Sequence, residues 1–259
     1  MVKLLNGDCL ELFKDIPDES IDLVATDCPY RIVGGGCSNG AYGNPSGILN
    51  REPRKDKFGN KYYSDTKHIS LCGVLNDANA TTYARQGKLF KHNDIEFDDW
   101  LPHLYRVLKK GTHCYIMINP RNLAKLQESA EKAGFKFQQL IVWDKVSVQT
   151  PNRYYLNGYE LILMLSKRPA RNINKMGTKN ILHMAPKVGN RMHPTEKPVE
   201  LMKILVENSS DLGGVILDPF MGSGSTGVAC QELGREFVGF EIDEKYFNIA
   251  KERLDGQNC

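Results

Sequence analysis

The sequence predicts a doubly wound α/β domain whose sheet is circularly permuted. Three observations lead there. Apolar runs of strand length alternate with helical periodicities along the chain. A glycine turn, Gly222-x-Gly224-x-x-Gly227, stands between the strand Val215 to Leu217 and a helix, with the acid Glu241 after the next strand, Phe237 to Phe240. About 18 residues follow Glu241, which is room for a helix but no further strand. The strand that completes this half of the sheet is then Val2 to Leu5, ending at Asp8, and the two ends of the chain meet.

The other elements follow in order. Leu10, Leu12 and Phe13 lie on a short helical segment, and Ile21 to Ala25 is a strand buried on both faces that runs into Thr26-Asp27-Cys28-Pro29-Tyr30. Periodicity vanishes from Arg31 to about Asn93, where glycines and prolines alternate with aromatics such as Tyr42, Phe58, Tyr62 and Tyr83. So long an irregular stretch in a compact domain is expected to be functional or disordered, and an inert linker would not need that many aromatics. Trp100, Leu101, Leu104, Val107 and Leu108 share a helical face, and Lys109-Lys110-Gly111 has the composition of a helix end. Strands are expected at 114–118, 140–143 and 160–165, with a helix over 121–133. Helices are also expected over 198–208, after Gly227 and over 244–254.

Composition removes several classes. The chain has 259 residues, 41% hydrophobic and 25% charged, enough apolar material for a sizeable core. No apolar run approaches the roughly 20 residues of a membrane span, and the first residues turn polar too soon for a signal peptide. Cysteines stand at 9, 28, 37, 72, 114, 230 and 259 with no Cys-x-x-Cys pair, so no metal site is expected. They read as reduced thiols filling the core of a cytoplasmic protein.

Charge is informative once divided. Residues 31–95 carry ten Lys/Arg against five acids, and residues 167–191 carry seven with no acid, although the whole chain is only +3. Two basic segments on an acidic body suit a polyanion-binding face, and taken alone equally suit solvated loops with a chance charge run.

The glycine turn alone matches a dinucleotide fingerprint. Asp218, at the end of the preceding strand, changes the chemistry. A carboxylate there repels a pyrophosphate and favours a ligand with a cationic centre, such as the ammonium of S-adenosylmethionine. The ribose of that ligand still suits Glu241. A helix N-cap is the structural alternative for Asp218.

Asp27-Cys28-Pro29-Tyr30, taken with Asp218 to Thr226, resembles the DNA amino-methyltransferases, which carry an Asp/Asn/Ser-Pro-Pro-Tyr motif. Catalytic motif first and glycine turn last is the order of their permuted β class. His193-Pro194-Thr195-Glu196-Lys197-Pro198 resembles that class's segment beside the methionine end of the cofactor. The resemblance covers nearly the whole chain apart from 31–95. It implies a single methyltransferase domain over 1–259 with a Rossmann-like sheet, S-adenosylmethionine as cofactor, and 31–95 and 167–191 as DNA-recognition elements.

By the same resemblance, Asp27 and the carbonyl of Cys28 accept hydrogen bonds from the target amino group. Pro29 shapes that turn, and Tyr30 stacks on a base flipped out of the duplex. Phe220 lines the cofactor pocket, while Gly222, Ser223, Gly224, Ser225 and Thr226 hold the methionine moiety. Glu241 binds ribose, Ile242 packs on adenine, Asp8 and Cys9 stand at the adenine edge, and Lys197 faces the cofactor carboxylate. Tyr159-Glu160 resembles an element near the target-base pocket, or is ordinary strand packing. Cysteine at 28, where the family has proline, keeps the carbonyl and loosens the backbone.

Most members of that class methylate adenine N6 and some cytosine N4. An RNA methyltransferase, a nicotinamide-dependent oxidoreductase and an inactive DNA-binding module remain as alternatives. The implied partner is double-stranded DNA. A homodimer and a cognate restriction endonuclease are the associations such relatives suggest.

Overall fold

The computed structural model describes residues 1–29, 54–55, 61–62, 95–146, 155, 158–186 and 196–256. The expectations for Tyr30, for His193 to Thr195 and for nearly all of 31–95 concern residues outside these. The chain divides into two compact units. One comprises Met1–Tyr30, Asp94–Ser147 and Asn157–Cys259; the other comprises Arg31–Asn93 and Val148–Leu156. In the second, β3 (Arg54–Lys55) pairs antiparallel with β4 (Lys61–Tyr62).

The first unit is built on an eight-stranded sheet. β1 (Val2–Asn6) lies beside β10 (Glu236–Glu241), β9 (Val215–Asp218) and β2 (Ile21–Asp27), all parallel. β5 (Leu108–Ile118) runs parallel to β2, and β7 (Tyr159–Ser166) is antiparallel between β5 and β6 (Lys136–Asp144). β8 (Ile181–His183) closes the far edge. The predicted permutation is present: β1 joins the carboxyl-terminal strand in register, Val2 opposite Phe237 and Asn6 opposite Glu241.

Alternation along the buried strands makes the sheet two-faced. Val24, Ile116, Leu163 and Leu217 enter one core cluster with Phe13, Trp100 and Leu104. Leu23, Ala25, Met117, Ile162 and Ile216 enter another with Leu201, Leu205 and Val228. Helices cover both faces: α1 (Cys9–Leu12), α2 (Phe97–Val107), α3 (Leu123–Lys132), α4 (Val199–Ser209), α5 (Ser225–Glu232) and α6 (Glu244–Asp255). Among the described residues no helix is long and apolar enough to cross a membrane.

Some boundaries differ from the sequence reading. Lys109-Lys110-Gly111 does not end α2, which stops at Val107; those residues open β5. Tertiary bonds override the local signal: the Lys109 ammonium donates to Asp22 Oδ1 at 2.7 Å, and the Gly111 N–H donates to the Lys167 carbonyl at 2.8 Å. β6 begins four residues earlier than expected because its exposed first residues pair with β7, Lys136 opposite Ser166. β8 carries no readable signal of its own in a polar stretch; it exists because Val142 to Asp144 offer it an edge.

Candidate active site at the switch point of the sheet

Strand order reverses between β9 and β2, the place where open α/β sheets hold their ligands. A buried hydrogen bond ties the two strand ends together: the Thr26 hydroxyl donates to Asp218 Oδ1 at 2.7 Å. Asp27 and the turn after Asp218 therefore leave the sheet side by side.

Asp218 is almost wholly buried and well supplied with donors. The Phe220 N–H also reaches Oδ1 at 3.1 Å, and the Thr226 hydroxyl reaches Oδ2 at 2.6 Å. It is not the N-cap of α5; Gly224 is, at φ 79° in the left-handed region. Burial pushes the Asp218 carboxyl up to about 6 even though the Thr226, Thr26 and Phe220 hydrogen bonds oppose the shift.

The glycine turn is fixed from several sides. The Gly222 N–H donates to Glu241 Oε2 at 3.0 Å, and the Met221 N–H to the Phe240 carbonyl at 3.0 Å. Gly227 lets α5 approach its neighbours: a Cβ there would stand 2.8 Å from both the Leu254 Cδ1 and the Phe237 ring. Ser223, Ser225 and Thr226 are buried. Phe220 packs edge-to-face on Trp100, with ring centroids 5.1 Å apart.

Glu241 accepts from Gly222 on one oxygen and from the Asp243 N–H on the other at 2.9 Å. Burial raises its carboxyl above the usual range against those two bonds. The end of β1 meets it: the Gly7 N–H and the Asn6 side-chain amide both donate to the Glu241 carbonyl, at 3.0 and 2.7 Å. Asp8 caps α1 through the Leu10 N–H at 2.9 Å, Cys9 is buried behind it, and Ile242 beside Glu241 keeps 41% of its surface exposed. A half-bare isoleucine beside a strand-end carboxylate, next to a glycine turn, suits a ligand with a flat base and a ribose.

At the end of β2, Asp27 keeps a quarter of its side-chain surface and takes a 2.5 Å hydrogen bond from Lys197 Nζ on Oδ2. The same ammonium lies 3.3 Å from Glu160 Oε2, and Lys145 Nζ lies 2.6 Å from Glu160 Oε1. Burial raises the Asp27 carboxyl, with Lys197 opposing and Glu160 assisting. Burial disfavours the charged Glu160 as well, but the Lys197 and Lys145 ammoniums hold its carboxyl below the usual range. Cys28 is buried with its thiol 3.5 Å from the Met117 carbonyl, and burial pushes it well above the ordinary thiol range. It has none of the thiolate character a nucleophile requires.

The structure thus gathers Asp27, Cys28, Lys197 and Glu160 at one strand end, and Asp218 to Thr226 with Glu241 at the neighbouring ones. Lys197 meets Asp27 and Glu160. Sequence reasoning missed Thr26, Lys145 and Arg253. The Arg253 guanidinium donates to the Ser223 carbonyl at 3.1 Å and pairs at 3.1 Å with Glu196, whose side chain has no exposed surface. Residues 196 and 197 therefore anchor to different parts of the site. The only hint in the sequence was the motif that contains them.

The basic segment 167–191 is partly spent within the fold. Lys167 is buried, with its ammonium donating to the Tyr105 and Leu108 carbonyls at 2.9 and 2.8 Å. Arg171 pairs with Asp211 and Lys175 with Glu207. Among the described residues of the segment, Arg168 and Lys179 carry no ion pair.

Fold and site together define a methyltransferase-type α/β sheet with an acidic strand end beside a glycine turn. The DNA methylase family model for N6 and N4 amino-methyltransferases matches residues 21–252, and the chain belongs to that family. It is 25% identical over 275 residues to the type II methyltransferase M.HinfI of Haemophilus influenzae, covering 97% of this chain and 67% of that one. It is 26% identical to M2.DpnII of Streptococcus pneumoniae, covering 98% and 90%. In structure it resembles the M1.HpyAVI–SAM complex (TM-score 0.64, 21% identity, 98% of this chain and 100% of that one). It also resembles the cytosine-N4-specific PvuII DNA methyltransferase (TM-score 0.66, 16% identity, 98% and 86%).

Proposed function

We propose that the chain transfers a methyl group from S-adenosylmethionine to the exocyclic N6 of an adenine flipped out of double-stranded DNA. The observation that carries this reading is the Thr26–Asp218 bond, because it sets a hydrogen-bond acceptor, Asp27, beside a glycine turn that suits a nucleoside ligand. The residues fit that cofactor. Glu241 offers two carboxylate oxygens for ribose hydroxyls, Ile242 an exposed apolar side for adenine, Asp8 an acceptor for its amino group, and Asp218 a negative charge beneath the turn.

When bound, S-adenosylmethionine supplies an electrophilic methyl group on a sulfonium, open to direct displacement. The chain's own residues act on the nucleophile. The amino nitrogen of adenine shares its lone pair with the ring. Asp27 accepts one amino hydrogen and the Cys28 carbonyl the other, which draws the nitrogen toward a tetrahedral, reactive geometry. The amino nitrogen, held by Asp27 and the Cys28 carbonyl, would take that methyl group, and the proton it loses would pass along the Asp27 hydrogen bond and on to water. Positioning is the main catalytic contribution. Tyr30 stacks on the extruded base, and the Lys/Arg of 31–95 meet phosphates. The setting is the cytoplasm, in keeping with buried free thiols at Cys9, Cys28, Cys114 and Cys230.

Cytosine N4 is the second reading, favoured by the likeness in fold to the PvuII enzyme. Purified protein incubated with plasmid DNA and methyl-labelled S-adenosylmethionine, followed by nucleoside analysis, separates the two. N6-methyladenine is the expected product. N4-methylcytosine replaces the adenine assignment, and label on neither base overturns the function.

A further inference from the structure

We propose that Lys197 is a positioning residue for Asp27. Its ammonium holds one oxygen of that carboxylate and keeps it ionised, leaving the other to accept an amino hydrogen, while Glu160 competes for the ammonium and Lys145 relieves the competition. The proposal rests on the methyltransferase reading above and adds three residues to it.

The geometry is a chain of alternating charge: Asp27, Lys197, Glu160, Lys145, at 2.5, 3.3 and 2.6 Å. Lys197 is the most enclosed of the four, with 10% of its side chain exposed, so it cannot swing into solvent without leaving both carboxylates. Its contact to Asp27 is the shorter. Lys145 occupies the other oxygen of Glu160 and supplies the charge that Glu160 would otherwise take from Lys197. Among the described residues Asp27 Oδ1 accepts no hydrogen bond. One oxygen is thus pinned and the other offered.

Among the described residues on the neighbouring strands, Asp218 is a further charge that acts on Asp27. Just past the end of β2 Cys28 stays a neutral thiol, and on β5 the residue opposite Asp27 is the uncharged Met117. On β9 Asp218 is a second anion, occupied by three donors of its own. Burial works against a charged Asp27 and Lys197 is the largest opposing influence; Glu160 pushes the carboxyl up and Lys145 pulls it down. Removing Lys197 and removing Glu160 should therefore shift Asp27 in opposite directions, whereas loosening of the fold would not. A lysine serving only the cofactor's carboxylate would leave Asp27 unmoved.

The test uses the full chain and two readouts. One is the pH dependence of single-turnover methylation at saturating cofactor and DNA. The other is the carbon-13 titration of the Asp27 carboxyl without either ligand. Lys197→Met is expected to move the acidic limb and the carboxyl titration upward by about 1–3 pH units, the usual effect of a cation at this range. The KM for S-adenosylmethionine should stay unchanged, and raising the pH should recover much of the lost kcat. Lys197→Arg should restore the limb, and Glu160→Gln should move both readouts downward. An Asp27 titration unmoved in Lys197→Met, a rise in cofactor KM with the limb in place, or a shift of the same sign in Glu160→Gln would overturn the proposal. If wild-type protein transfers no methyl group, the methyltransferase reading fails, and the carboxyl titration alone still decides the positioning claim.

Discussion

Thr26 and Asp218 stand 192 positions apart in sequence and share a 2.7 Å buried hydrogen bond. One belongs to the strand that ends at Asp27, the proposed amino-group acceptor, the other to the strand that runs into the glycine turn. The bond fixes the lateral spacing of the two motifs, so it should serve both stability and ligand binding. Thr26→Val keeps the shape and removes the donor. A loss of about 1–3 kcal/mol is expected, the cost of withdrawing a donor from a buried charged acceptor. Denaturant titration measures the loss, and calorimetry should show weaker S-adenosylmethionine binding.

Asp218 also predicts a pH dependence. Burial raises its carboxyl from 3.8 to about 6, so between those values the folded protein holds a proton that the unfolded chain does not. Its contribution to stability is full below the unfolded value and is lost as the pH rises through about 6, a span of roughly 3 kcal/mol. Affinity for a cationic ligand runs the other way and should weaken as the pH falls through the same value. Asp218→Asn should flatten both curves, read by thermal melts and by binding titrations across pH 4–8.

Arg253 and Glu196 form a buried pair that also grips the Ser223 carbonyl. Arg253→Met takes this cation from a fully enclosed carboxylate and should cost about 3–5 kcal/mol. Adding Glu196→Gln should recover part of that loss, and a double-mutant cycle measures the coupling. Both variants should bind cofactor less well, because the turn loses its clamp.

Gly239 in β10 faces Met221, the residue before the glycine turn. A Cβ there would stand 2.4 Å from the Met221 sulfur and 2.7 Å from the Phe237 ring. Gly239→Ala should destabilise by about 1–3 kcal/mol through overpacking. A crystal structure of the variant should show Met221 displaced, and cofactor affinity should fall with it.

DNA binding should weaken steeply with salt, since phosphate contacts release counterions. The slope of log affinity against log salt should be unchanged in Lys167→Met, whose ammonium is turned inward onto backbone carbonyls, while the melting temperature drops. It should shrink by about one unit for each phosphate-contacting lysine or arginine removed from 31–95.

The sequence by itself determined the architecture and the order of its motifs. A strand buried on both faces is a continuous apolar run, a glycine turn needs residues that few others can replace, and a nucleotide-binding half of the sheet needs a third strand, which Val2 to Asn6 supplies beside Glu236 to Glu241. These are local or counting constraints, and Ile21 to Asp27, Val215 to Gly227 and Val2 to Asn6 satisfy them in the structure. Tertiary structure alone decided who pairs with whom. Lys109 to Gly111 have the composition of a helix end and became a strand because Asp22 and Lys167 bind them there. Lys167 and Lys197 are both lysines next to a proline-containing turn or strand end. One caps the backbone from inside the protein and the other meets Asp27, because an ammonium is drawn to whichever oxygens the fold encloses beside it. Charge attraction depends on distance and enclosure, and neither is written in the order of residues along a chain.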